Sequence, residues 1–389
     1  MSEPHLNWFG RGVVALPFEI EALLAGWSRL RSVMVKNIPE DAFSRDEWAY
    51  LVAFVDSNNL RAAFSQAFGA PSQKWLWRPR GPVAVWLPSN VSLLGPLTLI
   101  LTSLSGNPLR LKEGSESQNL TRAFLEFLRQ HVKPGDGPLY EILHQRITLE
   151  TFDRLDPRNQ EMAREAKVRI VFGSDEAATA IEALPHPIDS VGFAFSDRKS
   201  EAWIEPAGVE DRALLSQLIK VFAIYGQAGC TSPRRVVIIG GSRALAKRLR
   251  DQLVALWPEV IPRRPAMHLA SANLLDYQLA RAEGRFEPAL TADRSALLAV
   301  TDVDSHELAG PLSLALCHAD TVEEAAANLP DNIQTLGHAF ANVDDERWLK
   351  MLARTRVKRL VPIARMHHFG PTWDGWAYFR QLFEEIEVA

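Results

Sequence analysis

The chain of 389 residues has two cysteines, Cys230 and Cys317, and the first stands in a run suited to reactivity, Gln227-Ala228-Gly229-Cys230-Thr231-Ser232-Pro233. Small residues ahead of a cysteine let a ligand or another backbone segment come close, and glycine reaches backbone angles that other residues avoid. Pro233 then sets the chain ahead of an apolar run, Val236–Ile239. A cysteine at such a junction can stand exposed, with amide dipoles favouring its thiolate, the nucleophilic form. The same run also suits a plain turn that buries a small apolar thiol. Ser232 is a rival nucleophile, but no Gly-x-Ser-x-Gly elbow surrounds it, so it reads as turn chemistry. Two cysteines make no disulfide framework, and their spacing matches no metal site.

Four other places carry candidate chemistry. Asn90, in Pro88-Ser89-Asn90 at the end of an apolar run, is either a hydrogen-bond donor to a developing oxyanion or the cap of the helix that follows. Lys112, in Gly106-Asn107-Pro108-Leu109-Arg110-Leu111-Lys112, ends a short strand, the place where open α/β sheets bind ligands, although any single lysine can simply be solvated. Gly173-Ser174 lies between a strand and a helix whose first amides attract phosphate, but Asp175 and Glu176 follow at once and already complement the helix dipole. Gly240-Gly241-Ser242 reads as a strand-to-helix turn, and no Gly-x-Gly-x-x-Gly run is present. His268, His306, His338, His367 and His368 are candidate proton carriers, but the sequence assigns none a partner, and a histidine is more often a surface or hydrogen-bonded structural residue.

The elements that must hold these residues alternate. Residues 1–70 read as a mostly helical lead, and Gln73–Arg80 as a linker or short edge strand, its tryptophans packed beneath the lead. Val83–Leu87 is a strand, Val91–Leu104 a helix buried all round, Leu109–Leu111 a strand, and Leu120–Val132 a helix. Val168–Phe172, Ser190–Phe195 and Glu201–Ile204 continue a parallel, doubly wound sheet through residue 206. Asp211–Tyr225 is a helix running directly into the cysteine segment. Val236–Ile239, the helix Ala244–Trp257, Leu297–Val300, Leu312–Leu316 and Val322–Asn328 form a second α/β unit.

Hydrophobic residues make up 47% and charged residues 23% of the chain, the globular range, which excludes long disorder. A net charge of −4 and a pI near 6.2 give no footprint for nucleic acid. No secretory signal is visible, and the longest apolar stretch, Val91–Leu104, is broken by Gly95 and Pro96 and falls short of the about 20 residues a span needs. A cytoplasmic protein is the expectation.

Taken in order, Pro88-Ser89-Asn90, Gly106-Asn107 with Lys112, Gly173-Ser174, Gln227-x-x-Cys230 and Glu307-Leu308-Ala309-Gly310-Pro311 resemble the aldehyde dehydrogenase superfamily. Val171-Phe172-Gly173-Ser174-Asp175-Glu176, Gln227 to Arg234 and Trp373-Asp374-Gly375-Trp376 resemble, within it, the LuxC-type acyl-CoA reductases, over roughly residues 75–380. The resemblance implies an aldehyde dehydrogenase-like fold of two doubly wound α/β domains with the helical N-terminal lead. Residues 1–206 would hold the lead and a Rossmann-like cofactor domain, 207–349 the catalytic domain, and 350–389 a segment returning to the cofactor domain or to a subunit interface. It implies that Cys230 accepts an acyl group as a thioester, with Asn90 and the Cys230 amide as oxyanion donors. Lys112 would contact the adenosine ribose, Gly173 and Ser174 the pyrophosphate, and Glu307 the nicotinamide ribose. No metal is implied, and a homo-oligomer is.

Three departures refine the resemblance. Ala309 replaces the aromatic residue of Glu-x-Phe-Gly-Pro, which removes a ring from the nicotinamide side. Phe193-Ala194-Phe195-Ser196-Asp197-Arg198 stands where hydrolytic relatives carry Glu-Leu-Gly-Gly, whose glutamate activates water. An enzyme that reduces an acyl thioester gains nothing from that water, so acyl reduction is favoured over aldehyde oxidation. Ser115 replaces a ribose-binding glutamate of NAD-preferring relatives, so NADPH is the expected cofactor, with NADH as the alternative. The expected reaction is reduction of acyl-CoA, or of an acyl-carrying partner protein, to a fatty aldehyde. The rival readings are a CoA-acylating aldehyde dehydrogenase working oxidatively and a non-reducing, acyl-accepting scaffold subunit.

Overall fold

The computed structural model describes residues 3–69, 74–91, 93–114, 120–262, 265–284, 286–305, 308 and 310–388. They fall into two units, Met1–Ser196 with Phe369–Ala389, and Asp197–His368.

The first unit opens with a hairpin, not a helix. Strands β1 (His5–Phe9) and β2 (Gly12–Leu16) pair antiparallel across a turn at Gly10, whose φ of 61° is glycine's to adopt. The helices Ile20–Met34, Arg45–Phe54 and Ser57–Phe68 follow, so the expected helical lead holds only from residue 20 onward. Strand β3 (Lys74–Pro79) is not an edge: it lies between β2 and the chain's last strand, β16 (Phe383–Val388). Trp77 on β3 is buried with its ring centroid 4.9 Å from that of Phe68, the packing role expected of these tryptophans.

The larger sheet of this unit contains β4 (Val83–Trp86), β5 (Leu109–Glu113), β6 (Ile147–Thr151), β7 (Val168–Gly173) and β8 (Val191–Ser196), ordered β6-β5-β4-β7-β8 and parallel throughout. The helix Leu94–Ser103 between β4 and β5 is buried from Gly95 through Ser103, which explains why its sequence is apolar nearly all round. From β4 the chain winds outward through β5 and β6, then crosses to β7 and β8 on the other side. The winding reverses between β4 and β7, and ligand crevices of open α/β sheets form at such a reversal, beyond the carboxyl ends of the strands.

The second unit is one seven-stranded sheet made of β9 (Lys199–Ile204), β10 (Pro233–Ile239), β11 (Glu287–Leu290), β12 (Leu297–Val300), β13 (Ser313–Ala319), β14 (Ile333–Ala339) and β15 (Arg359–Pro362). Its order is β11-β12-β13-β10-β9-β14-β15, parallel except for the edge strand β11. Leu218 and Phe222 of the helix Arg212–Ala223 and Leu249 and Trp257 of the helix Arg243–Val260 pack on Val236, Ile238 and Leu316 on one face. Val237, Cys317, Trp203 and Trp348 fill the other.

The boundary expected at 206/207 therefore falls at 196/197 in this structure. Glu201–Ile204, read as part of the first sheet, is a central strand of the second. Only Asp197 and Arg198 separate β8 from β9, so no linker composition marks the change of sheet. Of the expected terminal segment, residues up to His368 stay with the second unit and supply β15, and the remainder belongs to the first and supplies β16. Among the described residues no helix is long and apolar enough to cross a membrane, and no group of three or more His, Cys, Asp or Glu is placed to hold a metal ion.

Candidate active site

The helix Arg212–Ala223 is followed by three consecutive residues with left-handed φ: Tyr225 at 55°, Gly226 at 60° and Gln227 at 64°. For the two that are not glycine this backbone costs about 1–3 kcal/mol each, so the surroundings must hold it in place. Gln227 supplies one restraint. Its side chain is 1% exposed; Nε2 donates to the carbonyls of Pro233 (3.0 Å) and Ser313 (2.8 Å), and Oε1 accepts from the Ser313 amide (3.0 Å). One amide thus ties the segment to the first residues of β10 and β13. The Ser200 hydroxyl on β9 donates to the Cys230 carbonyl at 2.7 Å, and the Ser232 amide donates to Gly229 at 2.9 Å. Cys230 itself is half-buried. It lies at the amino edge of its sheet, on a loop held by β9, β10 and β13, and not at the carboxyl ends where non-covalent ligands of such sheets usually gather.

Cys317 has the opposite setting. It points from the middle of β13 into the core, is 0% exposed, and its Sγ donates to the Val236 carbonyl at 3.8 Å. Burial pushes its thiol up to about 12, against the attraction of Arg235. Arg235 pairs across the strands with Glu201 at 2.8 Å, a buried ion pair, and also donates to the carbonyls of Val303 and Asn328. Val303 lies on the segment that leads toward Glu307.

In the first unit, Asn90, Lys112, Gly173 and Ser174 all follow or end strands at the carboxyl edge of the five-stranded sheet. Asn90 is exposed and is not the N-cap of the helix after it; that position is Leu93, which makes no side-chain cap. Lys112 is half-buried with its ammonium 5.6 Å from the centre of the Phe152 ring, and burial lowers its pKa against the pull of Asp153. That is not the setting of a freely solvated lysine. Ser174 is the N-cap of the helix Asp175–Glu182, its hydroxyl accepting from the Ala177 amide at 3.2 Å, and Ser196 donates to the Asp175 carboxylate. Lys112 near the end of β5 and the first amides of the helix Asp175–Glu182 after β7 are donors at the same carboxyl edge of the sheet, of types that suit a phosphate-bearing ligand. Asp175 and Glu176 in the first turn act against it. Ser115, Glu307 and Ala309 lie outside the described residues. On the same segment, Gly310 has a φ of 108°, and a Cβ there would sit 2.1 Å from Asp276 Oδ2, so only glycine fits.

Several residues of the cysteine site escaped sequence reasoning as to role. Gln227 was visible as part of the motif but not as the clamp. Thr231 stands in the motif and His367 among the candidate proton carriers, but their pairing, like the bond from Ser200, has no local signal because the partners are far apart in the chain.

A parallel sheet that reverses its winding in one unit, and a cysteine turned out of a helix onto the edge of a second parallel sheet, make up the aldehyde dehydrogenase-like fold. The chain is similar to aldehyde dehydrogenase 21 of Physcomitrella patens, solved with succinate (TM-score 0.67, 13% identity, 96% of this chain and 86% of that one). It is similar also to the succinic semialdehyde dehydrogenase of Streptococcus pyogenes, solved with NADP+ (0.64, 12%, 95% and 90%), and to an aldehyde dehydrogenase of Bartonella henselae (0.62, 14%, 95% and 85%). At these identities the likeness establishes the fold. No curated protein sequence matches the chain. The acyl-CoA reductase (LuxC) family model matches residues 65–384, and the chain belongs to that family.

Proposed function

We propose that this protein reduces an acyl thioester to a fatty aldehyde by way of an acyl group carried on Cys230. The observation that carries this reading is the contrast between the two thiols, one half-buried on a restrained loop and the other sealed in the core with a raised pKa. The Cys230 sulfur attacks the carbonyl of acyl-CoA or of an acyl-carrying protein. A new carbon–sulfur bond forms, the bond to the donor's sulfur breaks, and the donor leaves as a thiol with the proton that Cys230 gave up. A bound reduced nicotinamide supplies the hydride that converts the Cys230 thioester to the aldehyde and returns the cysteine as a thiolate. Lys112, Gly173 and Ser174, with Ser115 and Glu307, are the residues proposed to hold that cofactor, with NADPH preferred over NADH because no glutamate stands at Ser115 to repel a 2′-phosphate. A homo-oligomer in the cytoplasm is the proposed working form.

Asn90, with the Cys230 amide, is proposed to donate to the oxyanion that forms at the carbonyl. Losing one such donor costs about 2.7–4 kcal/mol, so Asn90→Ala lowers turnover roughly 100- to 1000-fold. Its melting temperature stays near that of the parent, because an exposed side chain contributes little to packing. Steady-state kinetics checks this, and a near-parental rate removes Asn90 from the mechanism.

Intact-mass spectrometry tests the whole reading. The protein is exposed to acyl-CoAs of graded chain length and then to NADPH. One acyl mass appears and is discharged as aldehyde when NADPH is added. An adduct that persists with NADPH supports the acyl-accepting subunit instead, and no adduct with any donor overturns acyl transfer to the protein.

A further inference from the structure

Thr231, the residue after Cys230, is 4% exposed, and its Oγ1 lies 2.6 Å from Nδ1 of His367. The other ring nitrogen, Nε2, lies 2.7 Å from the carbonyl oxygen of Val221 in the last turn of the helix Arg212–Ala223. A carbonyl oxygen can only accept, so Nε2 carries the proton. Nδ1 is then the acceptor, and the Thr231 hydroxyl donates to it. A single imidazole therefore joins the helix end that precedes the three left-handed residues to the residue that follows Cys230. Gln227 ties the same segment to β10 and β13 from its middle. The Tyr225 ring stands edge-on to His367 with centroids 5.8 Å apart. Burial, with the nearby Arg359 guanidinium acting in the same direction, holds the imidazole neutral down to about pH 4.

We propose that His367 is a positioning residue for Cys230: a neutral strut that fixes the nucleophile loop through Thr231, and not the base that deprotonates the thiol. The inference rests on the reading of Cys230 as the acyl acceptor. With both nitrogens engaged, the ring cannot take a proton from the thiol without releasing either Val221 or Thr231. What the strut supplies is placement. The backbone from Tyr225 to Gln227 relaxes toward ordinary φ values unless held at both ends, and a nucleophile displaced by about 1 Å loses roughly 100-fold in rate.

The test uses Thr231→Val, which keeps the shape and removes the hydroxyl, beside Thr231→Ser, which keeps the hydroxyl. Single-turnover acylation by acyl-CoA is read by intact mass, and alkylation of Cys230 by iodoacetamide reports a folded, reachable thiol. Thr231→Val slows acylation by about 10- to 100-fold, Thr231→Ser stays within about threefold of the parent, and alkylation changes by less than about threefold in both. His367→Phe, which keeps a ring and removes both hydrogen bonds, slows acylation at least as much as Thr231→Val. In each slowed variant the pH–rate profile keeps its shape while its height falls. Parental acylation rates in Thr231→Val and His367→Phe overturn the strut. Loss of one ionisation from the profile of His367→Phe also overturns it, in favour of a base. Failure of the underlying reading looks different: the parent protein itself then acquires no acyl mass on Cys230.

Discussion

Cys230→Ala is expected to abolish both the acyl adduct and aldehyde formation, and Cys317→Ala to leave both in place. Cys317 faces Val237, Trp203 and Trp348 in a close-packed layer, with its sulfur engaged by a main-chain carbonyl. Burial pushes the Cys317 thiol up to about 12, so it stays protonated at pH 8, and the thiolate is the form that reacts. Cys230 stands half-buried on a loop outside the strands, its carbonyl held by the Ser200 hydroxyl. Intact mass after acyl-CoA treatment at pH 8, followed by peptide mapping, separates the two. An adduct that survives in Cys230→Ala and vanishes in Cys317→Ala reverses the assignment. Cys317→Ala does carry a modest stability loss, because it leaves a small cavity beneath β13.

Arg235→Met destabilises the protein by about 3–5 kcal/mol, because it leaves the Glu201 carboxyl buried without its counter-charge. The two residues occupy matched positions on the neighbouring central strands β10 and β9, 1% and 3% exposed. Arg235 also holds the Val303 and Asn328 carbonyls, which lose their donors at the same time. A fall in melting temperature on the order of 10 °C is expected. The direction of the pH effect is set by Glu201, whose pKa burial raises even with Arg235 opposing. A carboxyl with a folded pKa above its unfolded value stabilises at low pH and loses that contribution as the pH rises. The Arg235→Met protein therefore recovers part of its stability on acidification. Arg235→Met with Glu201→Leu regains most of the loss, since a buried ion pair replaced by apolar side chains is often neutral. Thermal melts of the single and double variants across pH check this, and a single variant within about 1 kcal/mol of the parent sinks it.

The parts of the fold that could be read in the sequence are those whose burial is complete and local. Val83–Trp86 and Val236–Ile239 are continuous apolar runs, and Val168–Phe172 is apolar except for Arg169, because both faces of a parallel sheet are covered; Leu94–Ser103 is apolar nearly all round because it is enclosed. The parts that could not be read are those whose partners lie far away. Lys74–Pro79 looked like an edge because its second neighbour, Phe383–Val388, comes from the other end of the chain. Glu201–Ile204 carries a strand pattern that is the same in either sheet, so its periodicity could not say which one it joins. The His5–Leu16 hairpin has a local signal, Gly10 between two β-prone runs, although the longer helical spacing that follows from residue 20 dominates the pattern of residues 1–70.

The same division holds at the site. The residue types and spacing of Gln227 to Pro233 suit both a reactive cysteine and a plain turn around a small buried thiol, and it is the ordered resemblance along the chain that points to Cys230. Which thiol stands near solvent, and what keeps the turn from relaxing, were decided by tertiary structure alone. Gln227 reaches Ser313 and Thr231 reaches His367 across 86 and 136 residues of chain. A hydrogen bond is directional and effective only over about 3 Å, so such pairings exist only once packing has brought the strands and the terminal segment together.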